Sequence, residues 1–319
     1  PKEELSMKNN ISSRIRGAMY GVAVGDALGA PLEFMDATRI QMQHGTVRDM
    51  IGGGWLGVRP GEFTDDTQMT LAVAHGIVEE AGDPIEAIGR HFVKWANSGP
   101  KDVGATCASS IHRAMHIAKD PAAPSKDDWF NAAAATHTLM HGRSAGNGSL
   151  MRTAYVGLYY RDQDEAVEKA RQISKMTHYD DDTAMDCAAY SAILNRIVRE
   201  DDIHSRRLLI VALACSYDFC KNRYLYELLS CPGYTPRPTG YVVDSFAAAL
   251  HCIFTTDSFE EAVVKAVNLG GDADTIGAIT GGLAGALYGY EAIPERWTKC
   301  LDPNDCAELD ALCEVAALR

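Results

Sequence analysis

Apolar residues recur at helical spacing along nearly the whole chain. Ile15, Met19, Val22 and Ala23 fall on one face of a 3.6-residue period, as do Met69, Val73, Ile77 and Val78. Further stripes run from Met185 through Ala189, Ala192 and Ile193 to Ile197, through Phe246, Leu250, Ile253 and Phe254, and through Ile276, Ile279, Leu283 and Leu287. The alternation of β-branched residues that marks a strand is almost absent; Tyr155 to Tyr160 is the one serious candidate, and it is short. The pattern predicts an all-α protein of about a dozen or more helices, a single-domain orthogonal multi-helix bundle over residues 11–319. The polar stretch 1–10 reads as a disordered tail or an expression remnant, without the apolar segment of a signal peptide.

Two of the predicted helices carry small residues on one face: Gly17, Ala18, Gly21 and Gly25 in the first, and Gly277, Gly281, Gly282 and Gly285 in the second. Glycine costs about 1 kcal/mol relative to alanine inside a helix, so such stripes need a reason. Close approach of two buried helices supplies one, and these two are expected to cross near the centre of the molecule. Breaks fall at Gly52-Gly53-Gly54, Pro60-Gly61, Asp120-Pro121, Pro124 and Cys231 to Gly240; the last leads straight into an apolar helix and reads as a packed loop. No internal repeat of 20–50 residues interrupts this picture.

Composition narrows the class. A formal net charge of −13 makes the chain a poor general binder of nucleic acid, and its 46% hydrophobic content is ordinary for a soluble globular protein. No apolar run approaches the roughly 20 residues that span a bilayer. The nine cysteines include no Cys-x-x-Cys pair, and the nearest two, Cys215 and Cys220, are poorly spaced for a metal or a disulfide. They read as reduced, mostly buried thiols of a cytoplasmic protein.

Two acidic clusters far apart in the chain echo each other: Phe63-Thr64-Asp65-Asp66-Thr67 and Gly270-Gly271-Asp272-Ala273-Asp274-Thr275. Each offers two carboxylates and a threonine hydroxyl where a helix is expected to begin, near Thr67 and near Ile276. Capping a helix N-terminus needs one such residue, not two adjacent acids. Crowded carboxylates repel unless a cation lies between them, and hard oxygen ligands suit Mg²⁺ or Mn²⁺. If the fold joins the clusters, a central binuclear metal site follows. Glu33 lies past a glycine-rich helix end and is a candidate for the same site, whereas Asp26, inside that helix, reads as a buried hydrogen-bonding acid. The turn Gly142-Arg143-Ser144-Ala145-Gly146-Asn147-Gly148-Ser149 precedes a predicted helix from Leu150 and can present backbone N–H groups to an anion, although it lacks the Gly-Lys-Ser/Thr ending of a P-loop. Arg152 serves either a phosphate or a salt bridge. His178 stands out among the histidines, and Asp180 to Asp182 can charge the start of the next helix.

Taken in order, these motifs resemble those of the ADP-ribosylglycohydrolase family. The resemblance runs from about Arg14 to Tyr290 and rests on Gly25-Asp26-Ala27-Leu28-Gly29 with Glu33, Phe63 to Thr67, Asp102-Val103-Gly104, Gly146 to Ser149 with Met151-Arg152, Thr177-His178, and Gly271 to Gly277. It implies an all-α fold and a site for two Mg²⁺ or Mn²⁺ ions held by Thr64, Asp65, Asp66, Asp272, Asp274 and Thr275, with Glu33 close by as ligand or gate. It also implies that Ser144 and the Gly146, Asn147, Gly148, Ser149 turn cradle a diphosphate. His178 is then expected to meet the ribose or phosphate, and Tyr241 to stack on adenine.

The activity so implied is hydrolysis of the bond between ADP-ribose and a protein side chain, with Asp66 or Asp102 as general base. Asp102 matches an acid of arginine-directed members, and Ala145 replaces an aromatic residue of some serine-directed ones; both tilt the expectation toward arginine. Serine, nucleobase and small-guanidine linkages stay open. Two rivals remain. A phosphohydrolase of the HD type needs a His-Asp pair, but Tyr179 follows His178, and the DDxxD of prenyl-diphosphate enzymes is broken by Met69. A non-catalytic ADP-ribose binder is disfavoured because every expected ligand type is present.

Overall fold

The computed structural model describes residues 2–216 and 233–319; Cys220 and the first two residues of the proline-rich segment, Cys231 and Pro232, lie outside the described residues. The first half of the chain forms α1 (Lys2–Gly29), α2 (Ala37–His44), α3 (Asp65–Glu79), α4 (Ile85–Asn97), α5 (Ala105–Ile117), α6 (Lys126–Leu139) and α7 (Ala154–Tyr159). The second half adds α8 (Gln163–Lys175), α9 (Asp181–Ile197), α10 (Ile203–Ser216), α11 (Val242–Phe254), α12 (Phe259–Val267), α13 (Ala273–Tyr288), α14 (Glu295–Thr298) and α15 (Pro303–Ala317). Among the described residues there is no strand, only isolated bridges, and no helix is long and apolar enough to cross a membrane.

The centre of the molecule is the antiparallel pair α1 and α13. A methyl group on Gly21 would collide with the carbonyl of Gly281, and one on Gly25 with that of Gly277. The two glycine stripes therefore lie backbone to backbone, as the spacing predicts. Every residue of α13 from Ala273 to Leu287 is buried, the signature of a helix enclosed on all sides. Because the pair is antiparallel, the C-terminal end of α1, with Asp26, meets the N-terminal end of α13, with Asp274.

Local signals explain several helix starts. The Asp180 carboxylate accepts from the backbone N–H groups of Asp182 and Thr183 and caps α9, so the acidic run does charge a helix start. Ser125 and Asp128 close a capping box on α6. Two readings need correction. Tyr155 to Tyr159 lies in a helix, α7, with Tyr160 at its C-cap, and is not a strand; all six residues of α7 are buried, and a short run that is apolar all round carries no period by which helix and strand differ. Residues 147–152 are turns, and the helix begins at Ala154 rather than Leu150. There Arg152 is pulled inward, donating to Ile173 O and Thr177 Oγ1. The first helix itself begins at Lys2, where Leu5, Met7 and Lys8 are strong helix formers.

Candidate active site

The start of α3 is held by an acid from another helix. Asp26 is fully buried and accepts from the backbone N–H of Thr64 (2.9 Å) and Thr67 (3.0 Å) and from both hydroxyls, Thr64 Oγ1 at 2.8 Å and Thr67 Oγ1 at 2.6 Å. Thr64 makes no cap hydrogen bond of its own. Asp26 therefore does the capping, and Asp65 and Asp66 are left to face the centre. This is the role expected of a buried hydrogen-bonding acid.

The two acidic clusters do meet. Carboxylate oxygens of Asp26, Asp66 and Asp274 lie within 4.8 Å of one another, and so do those of Glu33, Asp272 and Asp274. Both oxygens of Asp26 are already saturated by α3, so we regard it as a support rather than a ligand. Asp65 and Thr275 line the same space, and Thr64 and Asp66 lie buried behind it. Asp66 Oδ1 is buried with no hydrogen-bond partner. A buried carboxylate oxygen without a donor is costly unless something cationic satisfies it. The donor set, all hard oxygens, fits a divalent cation such as Mg²⁺ or Mn²⁺.

The electrostatics agree. Burial pushes Asp65, Asp66 and Asp274 well above the usual carboxylate range, and neighbouring carboxylates add to it. Burial likewise raises Glu33 to about 7, opposed by a hydrogen bond from Trp55 Nε1 to Glu33 Oε2 at 2.6 Å. Asp26 rises to about 6 through burial, although the four donors of Thr64 and Thr67 pull the other way. Asp102, on the cavity wall, is raised by burial too.

These groups border a cavity of about 520 Å³. Among the described residues, four carboxylates line it, those of Glu33, Asp65, Asp102 and Asp272, and no lysine or arginine does. Residues 146–148 form another part of the wall, and their loop is stitched to the α11 start by Asn147 N donating to Gly240 O and Val242 N donating to Ala145 O, each at 3.0 Å. Asn147 Nδ2 donates to Asp272 Oδ2 at 2.7 Å and to Ser245 Oγ at 2.8 Å, which fixes the orientation of that carboxylate. Gly146 and Gly148 pack against the His178 ring, whose Nδ1 pairs with Thr177 Oγ1. Burial, with the Arg152 charge, lowers His178 to about 3, so its ring is neutral.

Not every expected site residue faces the cavity. The Ser144 hydroxyl is buried against His137 Nδ1 at 2.6 Å, and Ser149 against Ser174 Oγ at 2.8 Å. Arg152 is enclosed, with its guanidinium over the Phe92 ring, and is structural. Tyr241 is 40% exposed and pairs through its backbone with Gly146 at the cavity edge rather than lining it. The sequence did not reveal that Trp55 holds Glu33 or that Asn147 holds Asp272; those contacts join loops whose packing no local pattern encodes.

Fold and site together define an all-α protein built around a carboxylate-rich, cation-accepting cleft. The ADP-ribosylglycohydrolase family model matches residues 7–319. The chain is 32% identical over 314 residues to the ADP-ribosyl-[dinitrogen reductase] glycohydrolase of Rhodospirillum rubrum, covering 97% of this chain and 98% of that one. It is 30% identical to the ADP-ribosylarginine hydrolase Tri1 of Serratia proteamaculans, covering 89% of this chain and 74% of that protein. A solved structure titled ADP-ribosylglycohydrolase-related protein complex superposes with a TM-score of 0.77 at 29% identity, over 97% of this chain and 99% of that one. The chain belongs to the ADP-ribosylglycohydrolase family, and it is an ADP-ribosyl glycohydrolase acting on ADP-ribosylated substrates.

Proposed function

We propose that this enzyme removes ADP-ribose from arginine side chains of proteins, cleaving the N-glycosidic bond with the help of two divalent cations, Mg²⁺ or Mn²⁺. One observation carries the reading. Among the described residues the cavity is lined by four carboxylates and by no lysine or arginine, yet the ligand of this family carries a diphosphate. Such an anion needs cations supplied from outside the chain, together with the backbone N–H groups of Gly146 to Gly148.

Thr64, Asp65, Asp66, Asp272, Asp274 and Thr275 would hold the ions, with Glu33 at the mouth as ligand or gate. Cations held there would supply Lewis-acid polarisation and would lower the pKa of the attacking water. The protein's own groups do the rest. Asn147 orients Asp272, and the neutral His178 ring backs the glycine turn. The carboxylates stabilise positive charge developing on the sugar ring. Asp66 or Asp102 takes the proton of the attacking water. Asp102, on the cavity wall, also faces the position of a cationic guanidine, and the arginine-directed relative supports that linkage.

The whole of residues 11–319 acts as one domain in this reading. A reducing, cytoplasmic setting fits the six cysteines with described side chains, all of them free. The test is a panel of peptides ADP-ribosylated at defined arginine or serine residues, incubated with Mg²⁺ or Mn²⁺ and read by mass spectrometry. Release from arginine peptides that requires the metal is expected; release confined to serine peptides would reassign the linkage.

A further inference from the structure

The loop that leaves α1 turns sharply at Phe34, whose φ of 62° is in the left-handed region. For a bulky non-glycine residue this costs on the order of 1 kcal/mol and persists only where the surroundings enforce it. Here two backbone hydrogen bonds to the second acidic loop enforce it: Phe34 N donates to Gly271 O at 2.8 Å, and Gly271 N donates to Met35 O at 2.7 Å. The turn sends the Phe34 ring outward, 68% exposed, onto the edge of the cavity, which it helps to line.

A second ring meets it there. Trp55, 54% exposed, lies with its ring centroid 5.4 Å from that of Phe34. It is anchored at one end by its Nε1 hydrogen bond to Glu33. Its loop is closed by paired hydrogen bonds between Gly53 and Val58 and seated on Pro31 at Gly54. Single exposed aromatics are ordinary. Two in contact, one set by an enforced backbone turn and the other by a buried carboxylate, form a fixed surface.

Its chemistry is specific. Aromatic faces bordered by carboxylates, with no lysine or arginine among the described residues that line the cavity, attract a planar cation, and the guanidinium is the protein group that both stacks on aromatic rings and pairs with carboxylates. Its location is specific too. Glu33, between the rings and the acids, has carboxylate oxygens within 4.8 Å of those of Asp272 and Asp274, the proposed ligands of the cations that would activate the water at the anomeric carbon. The group attached at the anomeric carbon therefore emerges beside this rim. Tyr241, the adenine candidate, pairs instead with Gly146.

We propose that Phe34 and Trp55 form the leaving-group subsite, a π surface that stacks on the guanidinium of the ADP-ribosylated arginine and selects it over uncharged linkages. The assignment rests on the arginine reading above.

The experiment compares wild type with Phe34→Ala, Phe34→Leu and Phe34→Tyr in the full chain with Mn²⁺. It measures steady-state kinetics on an ADP-ribosylarginine peptide and calorimetric binding of free ADP-ribose. Phe34→Ala and Phe34→Leu are expected to raise KM roughly three- to thirtyfold, with ADP-ribose affinity held within about twofold; Phe34→Tyr, which keeps the ring, should match wild type. Phe34→Leu keeps apolar bulk, so it carries the test if the alanine variant is unstable. An active wild type whose KM is unmoved by either ring-removing variant overturns this subsite alone, as does an equal loss of ADP-ribose affinity, which would give the rim to the nucleotide. A wild type inert toward arginine peptides overturns both proposals.

Discussion

Asp66 Oδ1 is buried without a donor, while Asp26 beside it has more donors than it has oxygens. That contrast separates a support from a ligand, and the rest of the site follows it. If Asp65, Asp66, Asp272 and Asp274 hold cations, Mn²⁺ binds only the folded state. At a hundred times its dissociation constant it then adds about 2.7 kcal/mol to stability. Thermal melts should show a clear rise in Tm with Mn²⁺ or Mg²⁺ that EDTA reverses. Asp272→Asn should lose this rise and cut turnover by at least on the order of 100-fold, while far-UV circular dichroism stays helical. A variant that kept the metal-induced rise would remove Asp272 from the ligand set. At this scale the sequence was informative: doubled acids at two helix starts exceed what capping requires. It does not show that the hydroxyls of Ser144 and Ser149 turn inward, onto His137 and Ser174, because a glycine-rich turn carries no signal of which way its hydroxyls point.

Among the helices, the glycine seam between α1 and α13 decides where the acids go. Gly281→Ala would drive a methyl group into the Gly21 carbonyl, and neither backbone can yield without moving an end of the site. Overpacking of this kind costs about 3 kcal/mol, or more where both partners are backbone. Gly82→Ala, with nothing within 4 Å, should change stability by less than about 0.5 kcal/mol. Urea unfolding of both variants checks the contrast; similar midpoints would mean the seam can open. This pairing was legible because glycine at three- and four-residue spacing is expensive in a helix and needs a cause. α7 was not, because periodicity vanishes when every face is buried.

For the molecule as a whole, the buried neutral His178 links folding to pH. Its folded value of about 3 lies below the usual 6.5, so between those values the unfolded chain binds a proton that the native state refuses. The stabilisation is complete above pH 6.5 and is lost progressively as pH falls toward 3. Relative to a His178→Asn variant, wild type should therefore lose about 2 kcal/mol between pH 7.5 and 5.0, measured by urea titration at each pH. Equal losses would place a protonated imidazole in the native state. Helical architecture and the meeting of the two acidic motifs could be read from the chain; the aromatic rim could not, since Trp55 reaches Glu33 only through the folding of a glycine-rich loop. One consequence of the α1–α13 pairing concerns synthesis. Asp272 and Asp274 emerge from the ribosome long after Asp65 and Asp66, so the carboxylate cluster is completed only when the last helices are made, and under the proposed cation assignment an amino-terminal fragment released early would be unable to strip the modification from its targets.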